Sequence, residues 1–254
     1  MCLSIKRFWR DIRVVRVPAP PTEELFREQF EANLRECSWK PHPLYSVFTQ
    51  YDQEWYLAHQ EAFMHKYLCF YAVSKTIMPR RMIELGACAG ASGDAYLSAA
   101  RDADYIGLDV FGVTPRHDDG TAWDPHQIAE DLFNDRGFKK WQLIRRNLRT
   151  LDRLPSGHRT FAQKLCGLFY KGFDEVDLVI VDAAHDFDNE YADLQLALTA
   201  NPEFIFVDDA DDETAAKPAI EKFLTEDLRD RVAYTFAVKY VGGGLVIRIQ
   251  NPRG

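Results

Sequence analysis

The strongest constraint on the fold is a repeated alternation of short apolar runs with helix-like segments from residue 81 onward. The apolar runs cover residues 82–85, 105–110, 142–146, 177–183 and 204–210. Continuous runs of this length are typical of parallel strands that are buried on both faces of a sheet. The helix-like segments lie near residues 91–101, 125–136, 160–170, 187–199 and 213–226. The alternation predicts an α/β fold with a doubly wound, mostly parallel sheet.

The end of the chain departs from this alternation. Residues 231–240 and 245–250 are two strand-like segments joined by three glycines at 242–244. A short Gly-rich loop between two strands predicts an antiparallel hairpin. The sheet is therefore expected to have about seven strands, with an antiparallel C-terminal hairpin added to a Rossmann-like parallel core.

The first part of the chain carries helical rather than strand-like patterns. Residues 17–22 contain three prolines and break secondary structure, and helical patterns then cover residues 23–36 and 53–77. No convincing strand precedes residue 81. We therefore predict a helical N-terminal cap over residues 1–78 and a sheet-bearing domain over residues 79–254.

The charge and cysteine content limit the partners and the compartment. The chain has 31 basic and 39 acidic side chains, and its net charge of -8 repels phosphate backbones, so we expect no nucleic-acid partner. Its five cysteines form no CxxC pair, which fits a reducing compartment rather than a disulfide framework. No apolar run is long enough for a transmembrane segment, and no signal-peptide pattern is present. These features predict a cytoplasmic protein.

A glycine-rich turn follows the first strand-like run, at residues 84–93 (ELGACAGASG). In open α/β sheets, ligands bind beyond the carboxyl ends of the strands, where the strand order reverses. Gly86 and Gly90 allow the backbone to approach a ligand closely, and the next helix presents free N–H groups. Glycines that only let a helix pack against a strand produce the same pattern, so the turn alone leaves both interpretations open.

Two acidic residues make the turn more specific. Glu84 ends the first strand, where its carboxylate suits the cationic amino group of a methionine moiety. Asp109 ends the second strand, where it is placed to accept hydrogen bonds from both ribose hydroxyls of an adenosine. The diphosphate of NAD would be repelled by the carboxylate of Glu84. The pair therefore argues against a dinucleotide cofactor.

These motifs resemble those of a known family. The pattern E-x-G-x-x-x-G at residues 84–90, followed by an acid that ends the second strand, is similar to motifs I and II of class I S-adenosylmethionine (SAM)-dependent methyltransferases. Residues 182–187 (DAAHDF) and the Asp-Leu pair at 193–194 resemble D-G-x-H-x-Y followed by D-L in the small-molecule group of that family. That group includes the sugar O-methyltransferases of macrolide (macrocin type) and aminocoumarin biosynthesis. Residues 207–209 and 217–223 resemble its strand-five acidic pair and the helix after it.

The resemblance covers about residues 80–250 and implies a SAM cofactor. The expected cofactor contacts are Glu84, Gly86, Ala87, Cys88, Gly90, Ser92, Asp109, Val110, Asn147 and Asp182. Asn147 ends the third strand, where family members often border the adenine, and an ordinary polar strand terminus is the alternative. The implied reaction is methyl transfer to a small-molecule acceptor.

Three positions depart from the family pattern. Cys88 stands in the turn where glycine is common, and Ala183 replaces the glycine of D-G-x-H. Ala184 occupies the position at which the sugar methyltransferases carry an acidic general base. That base is therefore not carried over to this chain.

Acidic residues at the ends of strands four and five suggest a metal ion. Asp182, Asp208 and Asp209 should converge, because these strands are neighbours in the expected topology, and three carboxylates suit a hard cation such as Mg²⁺. A bound cation would lower the pKa of an acceptor hydroxyl, and the resemblance to metal-dependent sugar methyltransferases implies the same. The alternative is that Asp208 and Asp209 begin a solvated acidic loop that caps the next helix.

The predicted catalytic residues are His185 and Asp182. SAM carries its own leaving group, so the protein must align the reactants and help to deprotonate the acceptor hydroxyl. His185 lies three residues beyond Asp182, and its imidazole titrates near neutral pH, which suits a general base. A histidine at this position also serves to cap a helix, and that alternative stays open.

The preferred function is SAM-dependent methyl transfer to a small molecule, with a hydroxyl of a sugar or natural-product scaffold as the acceptor. An NAD-dependent oxidoreductase is the first alternative, but it explains neither Glu84 nor the terminal hairpin. A non-catalytic SAM-binding protein with a methyltransferase-like fold is the second, and Cys88, Ala183 and Ala184 favour it. The sequence identifies neither the acceptor nor the oligomeric state, and a homo-oligomer stays open.

Overall fold

The computed structural model describes residues 22–42, 53–111, 124–147, 176–183 and 186–250. His185 and the helix predicted near residues 160–170 lie outside these ranges. Within them the chain forms one seven-stranded sheet and six α-helices. No helix in the described part of the chain combines the length and apolar character needed to cross a membrane.

The predicted strands and helices that fall in the described ranges are confirmed, with ends that differ by a few residues. The helices are α1 (Glu23–Arg35), α2 (Gln53–Ile77), α3 (Ala91–Ala99), α4 (Pro125–Asp135), α5 (Phe187–Leu198) and α6 (Ala216–Phe223). The strands are β1 (Arg81–Leu85), β2 (Asp104–Asp109), β3 (Trp141–Arg145), β4 (Leu178–Val181), β5 (Phe204–Asp208), β6 (Val232–Val238) and β7 (Gly244–Ile249). A π-helical turn, Leu224–Leu228, continues α6.

The strand order is β3-β2-β1-β4-β5-β7-β6. Strands β1 to β5 are parallel, whereas β7 runs antiparallel to both β5 and β6. The doubly wound sheet with an antiparallel C-terminal hairpin is therefore confirmed, with β7 inserted between β5 and β6. The order reverses between β1 and β4, whose carboxyl ends are joined by a hydrogen bond from the Asp182 N–H to the Leu85 carbonyl (2.9 Å).

Consecutive strand residues alternate between two apolar layers, because successive side chains of a strand point to opposite faces. Met82 of β1 and Leu178 of β4 pack in the layer that contains residues of α1 to α4. Ile83 and Val179 pack in the opposite layer, which contains residues of α5 and α6. The sheet is covered on both faces, which explains why β1, β2, β4 and β5 are mostly apolar and buried along most of their length.

The two N-terminal helices share a core with the sheet. Phe26 and Phe30 of α1 each meet the ring of Phe236 edge-on, with ring centroids 5.3 Å apart. Phe70 of α2 stacks on Tyr96 of α3 at 5.1 Å. Each buried aromatic side chain contributes roughly 2–3 kcal/mol through its apolar area. This packing fixes α2 against the sheet and carries its side chains to the carboxyl ends of the strands; the domain boundary after residue 78 stays a prediction.

Candidate functional site

The turn after β1 has room only for glycine at two positions. Gly86 has a φ of +99°, and a Cβ placed there would lie 1.9 Å from the Asp182 carbonyl oxygen. Gly90 has a φ of +83°, and a Cβ there would lie 2.9 Å from the Cβ of Ala129. Both positions combine a left-handed backbone with close packing, which glycine alone tolerates. The turn is therefore held tightly at the point where the strand order reverses.

Cys88 has a left-handed backbone, with a φ of +42°. This geometry explains why glycine is common at the position, since a left-handed backbone costs a residue with a Cβ roughly 1 kcal/mol of conformational free energy. The Cys88 N–H donates a hydrogen bond to Asp109 Oδ2 at 2.9 Å. The turn after β1 is thereby tied to the end of β2.

Glu84 is a buried carboxyl group at the end of β1, with 0% of the residue exposed. The Tyr105 hydroxyl donates a hydrogen bond to its Oε2. Its Oε1 is also buried and has no hydrogen-bond partner among the described residues. Burial raises the pKa of Glu84 to about 7, although the neighbouring Ser92 and Tyr105 hydroxyls oppose this shift. An acceptor buried in this way is costly unless a ligand supplies a donor.

Asp109 is held in a fixed orientation at the end of β2. Its Oδ1 accepts a hydrogen bond from the Phe111 N–H at 2.6 Å, and its Oδ2 accepts the bond from Cys88. A carboxylate oxygen can accept more than one hydrogen bond, so each oxygen of Asp109 can also accept a hydrogen bond from a hydroxyl group of a ligand. Val110 follows directly and is 47% exposed, which leaves its side chain available for contact with a ligand.

Most of the predicted cofactor residues lie along the carboxyl edge of β1, β2 and β4. Ala87 belongs to the turn, and its N–H donates a hydrogen bond to the Leu108 carbonyl (3.2 Å). Ser92 lies in the first turn of α3, beside Glu84. Asn147 follows β3 at the outer edge of the sheet, two strands away from β1. Their roles in cofactor binding stay predictions, as does the role of His185.

The three predicted metal ligands converge. Asp182, Asp208 and Asp209 each offer a carboxylate oxygen, and these oxygens lie within 4.8 Å of one another. Burial and the Asp208 carboxylate raise the pKa of Asp182 well above its ordinary value, while the Lys66 ammonium opposes the shift. Asp208 is only 4% exposed, and α6 begins after Ala215 without a side-chain cap. The alternative of a solvated loop that caps the helix is therefore wrong for Asp208.

Lys66 is a residue of the site that the sequence interpretation missed. It lies on α2, and its Nζ is 2.5 Å from Asp208 Oδ2 and 3.6 Å from Asp209 Oδ1. Burial lowers the Lys66 pKa, but the carboxylates, Asp208 first, outweigh it and raise the pKa above its ordinary value. The ammonium therefore stays charged. The overlooked signal is helical spacing, because Cys69, Phe70 and Val73 follow Lys66 by three, four and seven residues and are all buried.

Aromatic side chains surround this ion pair. The Tyr240 hydroxyl donates a hydrogen bond to Asp208 Oδ1 at 2.6 Å, and Lys66 Nζ lies 5.6 Å from the centre of the Phe70 ring. Tyr67 is partly buried beside Lys66, and desolvation raises the pKa of its hydroxyl. A cavity of about 10 Å³, close to the volume that one water molecule needs, lies on the α5 side of the carboxylates. It is lined by Asp182, Glu190, Asp208, Asp209, Asp212, Ala215 and Ala216.

Comparison with known proteins reveals a likeness of fold. No protein-family model and no curated protein sequence matches the chain. A methyltransferase from Geobacter sulfurreducens is similar in structure, with 13% identity, a TM-score of 0.53, and coverage of 88% of this chain and 96% of that one. The O-methyltransferase TomG from Streptomyces achromogenes, involved in tomaymycin synthesis and crystallised with SAM, is also similar in structure. It has 14% identity and a TM-score of 0.51, and the match covers 89% of this chain and 98% of that one.

These likenesses confirm the fold that the sequence motifs implied. The chain has the Rossmann-like fold of class I methyltransferases, including the antiparallel C-terminal pair of strands. At 13–14% identity the likeness is one of fold alone. The sugar O-methyltransferase subtype stays a prediction.

Proposed function

We propose that this protein is a SAM-dependent methyltransferase that transfers a methyl group to a hydroxyl of a small molecule. The observation that carries the proposal is the buried Glu84 carboxyl group, whose Oε1 has no hydrogen-bond partner among the described residues. It lies beside the turn after β1, where the lack of a side chain at Gly86 allows the backbone to approach the end of β4 closely. SAM carries a cationic amino group that would provide the missing donor. The fold supports the proposal, since one similar structure is an O-methyltransferase with SAM bound.

The residues of this edge fit the parts of SAM. Glu84 Oε1 would accept a hydrogen bond from the amino group of SAM. The backbone N–H groups at the start of α3 would suit the carboxylate of the methionine part of SAM. Asp109 would accept hydrogen bonds from the ribose hydroxyls, with its orientation fixed by the Cys88 and Phe111 amides. When bound, SAM supplies an electrophilic methyl group on a positively charged sulfur.

The same edge is a poor site for NAD. Glu84, Asp109 and Asp182 present three carboxyl groups along neighbouring strand ends. A diphosphate placed among them would be repelled by each carboxyl group that is ionised, and such repulsion is costly in a partly dry site. A cofactor with a positively charged end is favoured there instead.

The acceptor would bind beyond β4 and β5, next to the cofactor edge. There the chain provides Asp182, the partly buried Tyr67 side chain and the ion pair of Lys66 with Asp208. His185 follows β4 in the chain, and we retain it as the proposed general base, with Asp182 as its companion. An imidazole side chain ordinarily titrates near neutral pH, which is the chemistry that a general base for a hydroxyl needs.

Calorimetric titration tests the cofactor. We expect the wild type to bind SAM and S-adenosylhomocysteine (SAH), and to bind NAD⁺ at least tenfold more weakly. Glu84→Gln keeps the shape of the side chain but removes the charge, so affinity for SAH should fall roughly 10–100-fold, the value of a charge-assisted hydrogen bond. Glu28→Gln, at an exposed position of α1, is the matched control and should bind as the wild type does.

Two outcomes would contradict the proposal. Tight binding of NAD⁺ without binding of SAM or SAH would favour an oxidoreductase. Binding of SAM without release of SAH, across a panel of hydroxylated small molecules, would favour the non-catalytic SAM-binding alternative. We expect methyl transfer from SAM to at least one hydroxyl acceptor, detected by mass spectrometry of the product.

A further inference from the structure

The acidic cluster of Asp182, Asp208 and Asp209 already holds a cation that belongs to the chain. Lys66 Nζ lies 2.5 Å from one carboxylate oxygen of Asp208 and 3.6 Å from one of Asp209. The three carboxylates lie within 4.8 Å of one another. The ammonium thus lies against oxygens of Asp208 and Asp209 that a metal ion bridging these two residues could otherwise bind.

A divalent ion bound to the same Asp208 oxygen would compete with this ammonium. Mg²⁺ binds carboxylate oxygens at about 2.0–2.1 Å and demands near-octahedral geometry. A metal at that distance from Asp208 Oδ2 would lie within a few ångströms of Lys66 Nζ, which contacts the same oxygen. Two like charges so close together in a partly buried site repel each other strongly.

The structure also holds the Lys66 side chain in place. Only 16% of the side chain is exposed, and its ammonium lies 5.6 Å from the ring centre of Phe70 and 5.9 Å from that of Tyr240. These rings offer cation–π attraction in addition to the ion pair. Tyr240 also donates to Asp208 Oδ1, so the second oxygen of that carboxylate is engaged as well. Lys66 is therefore a fixed component of the cluster rather than a solvent-exposed lysine that contacts it by chance.

We propose that Lys66 is the resident cation of this acidic cluster and takes the place of a divalent metal ion. The α2 helix would then supply the positive charge that holds the ends of β4 and β5 together beside the acceptor. Lys66 is a positioning residue in this account. The inference deepens the proposed function by predicting a metal-independent methyltransferase, but the occupancy of the cluster is independent of whether SAM binds.

Metal binding provides a direct test that requires neither SAM nor an acceptor. The protein is treated with chelator and desalted, and Mn²⁺ is titrated while the free ion is measured by electron paramagnetic resonance. We expect no stoichiometric Mn²⁺ site in the wild type. Lys66→Met removes the ammonium and should create one site per chain, at least tenfold tighter than any binding by the wild type.

Two variants serve as controls. Lys75→Met makes the same substitution at an exposed position of α2 and should bind no more Mn²⁺ than the wild type. Lys66→Arg keeps the positive charge and should therefore, like the wild type, show no stoichiometric Mn²⁺ site. Circular dichroism checks the fold of each variant, and Lys66→Gln replaces Lys66→Met if the latter does not fold.

The proposal is overturned by either of two results. One is a stoichiometric Mn²⁺ site in the wild type that is lost in Asp208→Asn, because a metal would then displace Lys66. The other is a folded Lys66→Met or Lys66→Gln variant without a Mn²⁺ site, because Lys66 would then not be standing in for a metal. Failure of SAH to bind would contradict the proposed function instead, and the two failures are measured separately.

Discussion

The pKa of Glu84 makes cofactor affinity depend on pH in a defined direction. Burial raises the pKa of this carboxyl group to about 7 in the unliganded protein. The amino group of SAM would bind the ionised form of Glu84. Each protein molecule in which Glu84 is protonated before binding should therefore release that proton when SAM binds. Affinity should therefore rise with pH through 7 and level off above it.

The magnitude follows from the pKa. A group with a pKa of about 7 is ionised in roughly 3% of molecules at pH 5.5 and in roughly 76% at pH 7.5. The affinity for SAH should therefore increase about 25-fold between these values, equivalent to about 1.9 kcal/mol. At pH 7.0 about half a proton should be released for each SAH bound.

Calorimetry in two buffers with different ionisation enthalpies measures both quantities. Asp109→Asn is the control, since it should weaken binding while it retains the pH dependence that Glu84 provides. Glu84→Gln should bind weakly at every pH and release no proton around pH 7. A flat affinity in the wild type, or the same slope in Glu84→Gln, would refute the assignment of Glu84 as the partner of the amino group.

Two further predictions concern stability without a ligand. Gly86→Ala should lower the free energy of unfolding, measured in urea, by about 2–4 kcal/mol, because φ is positive and the added Cβ meets the Asp182 carbonyl. Gly137→Ala is the control, since φ is +71° there but nothing lies within 4 Å of the added Cβ. Its free energy of unfolding should fall by only about 1 kcal/mol. Equal losses would contradict the steric account. Because the folded pKa of Glu84 is raised from 4.5 to about 7, its ionisation opposes folding by up to about 3 kcal/mol above pH 7 and by nothing below pH 4. Glu84→Gln should therefore stabilise the unliganded protein at pH 8 but not at pH 4, and a gain of equal size at both pH values would exclude this cause.

The fold could be predicted from sequence because β1, β2, β4 and β5 are buried along most of their length. Each of these four strands is a mostly apolar run, and the three glycines at 242–244 mark the hairpin. The insertion of β7 between β5 and β6 was not predicted, since hairpin patterns carry no information about which strand pairs with the sheet. The start of α6 was placed three residues too early, because the Asp212 side chain accepts the Thr214 N–H and forms a local turn instead.

The site could be predicted only where it depends on strand ends. Glu84 and Asp109 end neighbouring parallel strands, so their meeting at one edge follows from the strand order. The convergence of Asp182, Asp208 and Asp209 follows in the same way. Lys66 reaches Asp208 from a helix 142 residues earlier in the chain, and only tertiary packing determines that contact.

A crystal structure with SAH bound would test the central claim most directly. We expect the amino group of SAH within hydrogen-bond distance of Glu84 Oε1 and the ribose hydroxyls on the Asp109 carboxylate, with the adenosine lying along the ends of β1 and β2. SAH bound elsewhere, or bound with its amino group away from Glu84, would contradict this account of the site.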